Sequence, residues 1–105
     1  MRIVIVTAPR DDAPRIGATV VEERLAACVN ILPAVQSIYT WKGKLENDEE
    51  SMMLFKTTEE KVPPLTARIR TLHSYEVPEI ITVTVNENEG NPDYLAWVKE
   101  SVDIR

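Results

Sequence analysis

Alternating β-rich and helix-periodic stretches predict an α+β domain for this chain of 105 residues. Three observations carry the prediction. A β-branched run opens the chain at Ile3–Val6, two segments repeat apolar residues at helical spacing, and Lys42-Gly43-Lys44 sits between two strand-like arms. At this length, with 44% hydrophobic residues, one domain over 1–105 is expected.

Each element has a local reason. Ile3 to Val6 reads as a strand buried on both faces. Pro9 ends it, Asp11 and Asp12 offer capping oxygens, and Pro14 suits the first turn of a helix. Ala13, Ile16, Val20 and Ala27 hold a helical stripe to about Ala27. Gly17 inside it costs up to ~1 kcal/mol against Ala and suits close packing. Cys28–Leu32 reads as a second strand that Pro33 interrupts, since proline donates no ladder hydrogen bond. Val35, Ser37, Tyr39 and Trp41 then alternate toward the hairpin turn, and a return arm runs from about Leu45 to Thr57.

Thr57 and Glu60 have capping-box spacing. Val62, Leu65, Ile69 and Leu72 form an amphipathic helix whose regular part is expected at Pro63-Pro64. His73–Glu79 is a loop, Ile80–Val85 a strand and Asn86–Gly90 a polar loop. Asn91-Pro92-Asp93 opens a last helix with cap, proline and N-terminal acid. The order β-α-β-β-α-β plus a terminal helix is the split βαβ, ferredoxin-like arrangement with a long second-to-third-strand hairpin. Two helices cover one sheet face. The other face and the hairpin edges need a cover, and self-association supplies one. An odd-numbered ring, each hairpin lying on the next subunit, would close.

Composition excludes several classes. Seventeen acidic against twelve basic residues give a net charge of −5, which disfavours nucleic acid and anionic lipid as partners. The N-terminal apolar run is too short for a signal peptide, and no stretch approaches the ~20 apolar residues of a membrane span. A single cysteine, Cys28, fits a reduced, cytoplasmic setting. Three glycines leave no phosphate-cradling loop, and no nucleophile elbow appears. The anion-binding loop of acylphosphatases and the stacking aromatics of RNA-recognition domains, which share the expected fold, are also missing.

Leu25-Ala26-Ala27-Cys28-Val29-Asn30-Ile31, Ser37-Ile38-Tyr39-Thr40-Trp41-Lys42-Gly43-Lys44, Lys56-Thr57, His73-Ser74-Tyr75-Glu76-Val77-Pro78-Glu79-Ile80-Ile81 and Asp93-Tyr94-Leu95-Ala96-Trp97 follow one another in register. Together they resemble the CutA divalent-cation-tolerance family over nearly the whole chain. The resemblance implies a cytoplasmic homotrimer close in architecture to PII signalling proteins. It also implies an association with divalent ions, copper foremost, and no enzymatic turnover. It places His73 at a histidine linked to copper in the family. The family's copper-linked cysteine falls on Val6, which cannot ligate.

The candidate metal ligands are His73, Cys28, Glu49 and Glu79. Imidazole and thiolate suit copper or zinc, and carboxylates suit harder cations. Each has a plain structural alternative. His73 complements a helix C-terminus, Cys28 is a small buried hydrophobe, and Glu46, Asp48, Glu49 and Glu50 make a solvated strand edge. One imidazole and one thiol cannot close a four-ligand site, so the expected site is weak and exchangeable or shared between subunits. Tyr39, Trp41, Lys56 and Trp97 are candidates for an inter-subunit pocket. The other reading is a PII-like sensor holding a small organic ligand there. Lys56 and His73 are the one pair suited to proton transfer.

Overall fold

The computed structural model describes residues 1–103; the last two residues of the expected domain lie outside the described residues. The elements run β1 (Arg2–Ala8), α1 (Ala13–Glu22), β2 (Cys28–Trp41), β3 (Lys44–Thr57), α2 (Val62–Leu72), β4 (Ile80–Thr84) and α3 (Pro92–Val102), with one 3-10 turn at Glu59–Lys61 before α2. The four strands form one antiparallel sheet in the order β2-β3-β1-β4.

Strand alternation sends Val4, Val6, Met53 and Phe55 to the face covered by α1 and α2, where they pack on Ile16, Val20, Leu65 and Ile69. A smaller cluster of Met1, Ala27, Val98 and Val102 seats α3. The expectation that β1 is buried on both faces therefore holds for one face only. Val4 and Val6 are fully buried, while Ile3 and Ile5 are half-buried.

Local chemistry explains where the elements depart from expectation. α1 stops at Glu22, not Ala27. Arg24 takes a left-handed φ of 60°. Its N–H donates to the Val21 carbonyl and that of Leu25 to Val20, both at 3.0 Å, which is the Schellman pattern. Asp12 does not cap α1 through its side chain; its carboxylate takes the Ser74 hydroxyl and faces Arg15 at 3.5 Å. Thr57 forms no capping box, because its buried hydroxyl donates 2.8 Å to the Leu25 carbonyl. The cap that forms as expected is Asn91, whose Oδ1 accepts the Asp93 N–H at 3.0 Å.

Pro33 does not end β2. It sits in a bulge where Pro33 and Ala34 together face Ser51, between the pairs Leu32↔Met52 and Val35↔Glu50. The Ser51 hydroxyl donates 2.8 Å to the Pro33 carbonyl and closes the bulge. The extra residue reverses the alternation. Cys28, Asn30 and Leu32 before it share a face with Val35, Ser37, Tyr39 and Trp41 after it. Beyond Ala8↔Ser51, β1 no longer accompanies β3, so the pairs from Val35↔Glu50 to Trp41↔Lys44 form a two-stranded arm. Lys42 and Gly43 close it with φ of 52° and 78°, the positive pair a tight two-residue hairpin turn requires. The arm stretches the molecule to 45 × 27 × 21 Å.

Candidate functional site

The sheet face away from α1 and α2 carries four of the candidate residues, Cys28, Tyr39, Trp41 and Lys56. β4 contributes Ile81 and Val83, opposite Ile5 and Ile3; β3 contributes Met52, Leu54 and Lys56; β2 contributes Cys28, Leu32, Tyr39 and Trp41. Leu32, Tyr39, Trp41, Ile81 and Val83 are each between 41% and 52% exposed. Large apolar groups on one open face mark a binding surface more often than chance placement does.

Three polar arrangements interrupt this face. At the α3 end, Cys28 pairs in register with Lys56, and its sulfur lies 3.3 Å from the Tyr94 hydroxyl. That contact, with partial burial, raises the Tyr94 pKa. Lys56 Nζ donates to Asn30 Oδ1, and the Tyr94 and Trp97 rings meet at 5.6 Å. Trp97 also walls a groove with Val21, Arg24 and Ala27 behind the end of α1.

On the arm, the Tyr39 hydroxyl donates 2.5 Å to Asp48 Oδ2, and this bond to a carboxylate pushes the phenol up to about 12. At the root of the arm, Glu50 is 7% exposed and accepts the Tyr75 hydroxyl at 3.2 Å. Burial first, then the Glu50 charge, push Tyr75 up to about 12 as well.

His73 anchors the loop that carries Tyr75. Its backbone N–H donates 2.9 Å to the Ile69 carbonyl at the end of α2. Its ring is 8% exposed, with Nε2 at 2.7 Å from the Thr7 carbonyl and Nδ1 accepting the Tyr75 N–H at 3.1 Å. Next to it, the bond from Ser74, assisted by Arg15, lowers the Asp12 pKa.

The four candidate metal ligands are not gathered. His73 lies beside Thr7, whose partner on β3 is Met52, whereas Cys28 faces Lys56. Four residues of strand, ~13 Å, separate those levels. By the same spacing Lys56 and His73 do not meet, which removes that proton-transfer pair. Glu49 points to the opposite face of β3 and pairs with Arg10 at 2.8 Å, and Glu79 is exposed before β4. Val6 is fully buried among apolar neighbours. Among the described residues no group of three or more His, Cys, Asp or Glu side chains could hold a metal ion. One chain alone therefore does not fit a metal centre.

Glu50 was readable only as a solvated carboxylate, and Tyr94 only as part of the stretch Asp93-Tyr94-Leu95-Ala96-Trp97. The alternation of Glu46, Asp48 and Glu50 opposite Tyr39 could have separated Glu50 from Glu49. Its burial depends on Tyr75, which no spacing reveals.

The folded chain aligns along its full length with a PII-like protein CutA from Nostoc in apo form, at a TM-score of 0.93 and 33% identity, covering all of that chain. It aligns with the Cut A1 divalent cation tolerance protein of Thermus thermophilus at 0.91 and 44%, covering 98% of this chain and all of that one. Its class is thus an α+β fold shared with PII-like CutA structures, with one apolar sheet face left open. In sequence it is 45% identical to the Thermus thermophilus divalent-cation tolerance protein CutA over 100 residues, 94% of this chain and 95% of that one. It is 50% identical to mouse protein CutA over 96 residues, 90% of this chain but 53% of the mouse chain, so it spans about half of that relative. The model of the CutA1 divalent ion tolerance protein matches residues 2–101. The chain belongs to the CutA1 divalent ion tolerance family.

Proposed function

We propose that three copies of this ferredoxin-like βαββαβ chain assemble in the cytoplasm into a homotrimer that serves divalent-cation tolerance without catalytic turnover. The observation that carries the reading is the pairing of an open apolar face with a two-stranded arm. An isolated two-stranded hairpin is marginal in water, and this one needs a neighbour. Laying each arm on the next subunit's open face satisfies both. Divalent ions, copper among them, would then bind weakly and exchangeably, through donors such as the exposed Glu49 and Glu79 and the half-buried Cys28 brought together from different subunits. The relative named for divalent-cation tolerance supports this role. No helix among the described residues is long and apolar enough to cross a membrane.

Sedimentation across a hundredfold dilution tests the assembly: one species of three subunits is expected, and a stable single subunit overturns it. The second reading, a small organic ligand held between subunits, is favoured by Tyr39 and Trp41 on the same open face. A thermal-shift screen separates them, since any ligand of the folded state raises Tm. Metabolites without metals raise it under the second reading, metals without metabolites under the first.

A further inference from the structure

We infer that His73 is a structural lock, and that in this chain its imidazole is closed to metal ions. The hydrogen bonds force this assignment. A carbonyl only accepts and a peptide N–H only donates, so Nε2 must carry the proton that goes to Thr7, and Nδ1 must offer its lone pair to Tyr75. The ring is therefore the neutral Nε2–H tautomer, and its one lone pair is taken.

A metal at Nδ1 would displace the Tyr75 N–H. A metal at Nε2 would need the ring proton moved to Nδ1, which would break the bond to the Thr7 carbonyl and set an N–H against the Tyr75 N–H. Either path takes apart the start of the loop. The second donor of the family pattern is also missing, since Val6 is apolar and fully buried.

What the ring does instead is hold three elements to the loop. Nε2 fixes it to β1, and Nδ1 closes an i to i+2 turn of the kind asparagine side chains make. The ring packs against Tyr75, with centroids 4.8 Å apart. The turn aims the Tyr75 hydroxyl at Glu50 on β3 and sets Ser74 on Asp12 at the start of α1. Arg15 adds a 2.9 Å bond to the Leu72 carbonyl just before the histidine. His73 is thus a positioning residue for the root of the arm. All of these contacts lie within one chain.

The test uses the full chain labelled with ¹⁵N. Long-range imidazole correlations at neutral pH should report Nε2 protonated and Nδ1 bare, unchanged by one equivalent of zinc chloride. A movement of the Nδ1 resonance on adding zinc, with loss of protection at the Tyr75 amide, overturns the inference. Two variants divide the ring's roles. His73→Asn keeps an acceptor for Tyr75, and His73→Gln keeps a donor for Thr7. Exchange of the Tyr75 amide should stay near wild type in the first and rise about two- to tenfold in the second, the worth of one ordinary hydrogen bond. Zinc affinity should be equal in all three proteins. Equal Tyr75 exchange in all three overturns the lock, and a tenfold loss of zinc affinity in both variants restores His73 as a ligand. If neither variant folds, the wild-type spectra decide alone.

Discussion

The Tyr75 hydroxyl reaches from the loop after α2 to Glu50 Oε2 at 3.2 Å and donates to a carboxylate that is 7% exposed. A buried charge without its donor is costly. Tyr75→Phe should therefore destabilise the protein by about 1.5–3 kcal/mol, the range for hydrogen bonds to charged groups. Urea unfolding of the two proteins under identical conditions measures it. Pairing Tyr75→Phe with Glu50→Gln should recover part of the loss, because a neutral amide is cheaper to leave bare. A loss below about 0.5 kcal/mol in the single variant would mean that Glu50 draws its stabilisation from elsewhere, since such a loss is within the range of ordinary surface changes.

All three tyrosines have raised pKa values, each for a reason visible in its contacts: Asp48 for Tyr39, burial and Glu50 for Tyr75, Cys28 for Tyr94. Ultraviolet titration of phenolate should therefore show little ionisation at pH 10, where a free tyrosine is half ionised. Tyr39 and Tyr75 should titrate near 12. The linkage runs one way. A group held protonated by the fold contributes fully below its unfolded value and loses that contribution as pH rises to its folded value. Stability should thus fall between about pH 10 and 12, over the interval from the unfolded value to the folded one. A phenolate signal half developed by pH 10 would contradict the hydrogen-bonded tyrosines.

Gly17 faces β2 closely enough that a methyl group there would stand 3.0 Å from Val29 Cγ1 and 3.4 Å from Met53 Cε. Two effects compete in Gly17→Ala. Helix propensity favours alanine by up to ~1 kcal/mol, and overpacking a filled site costs about 1–3 kcal/mol. The methionine end can swing aside, but Val29 is branched next to the backbone and held in a paired strand. The expected net effect is destabilisation by roughly 1 kcal/mol. Adding Val29→Ala should convert the Gly17→Ala change into a gain, a sign reversal that a double-mutant cycle reads directly.

Elements set by neighbours in sequence were legible, and contacts set across the fold were not. Asn91-Pro92-Asp93 contains its whole signal, and its cap forms as expected. Lys42-Gly43 is equally local. The end of α1 is not, because Arg24 takes the left-handed position that glycine usually marks, so the apolar stripe reads on to Ala27. Pro33 signals a break in a ladder, and the Ser51 hydroxyl turns that break into a bulge. The same limit governs the site. His73 is visible as the one imidazole, but its partner Thr7 lies 66 residues away. Chemistry names a ligand, and only the fold reveals that its lone pair is already used.

The open face yields a prediction with an internal control. Ile81 and Thr82 are neighbours on β4 and alternate across the sheet: Ile81 lies opposite Ile5 on the open face, and Thr82 opposite Val4 on the helix-covered side. Both are exposed in the single chain, so neither substitution should unfold a subunit. Ile81→Asp should nevertheless break the proposed trimer. Burying an isoleucine against a neighbour contributes about 1.5–3 kcal/mol. Putting an unpaired carboxylate in its place adds a desolvation cost of several kcal/mol. At about 1.4 kcal/mol per factor of ten, association should weaken by at least a hundredfold. Thr82→Asp changes the charge equally on the other face and should leave the mass unchanged. Light scattering with far-ultraviolet circular dichroism reads both quantities. Small Ile81→Asp particles with intact secondary structure are the expected outcome, and equal masses for the two variants would move the interface off this face.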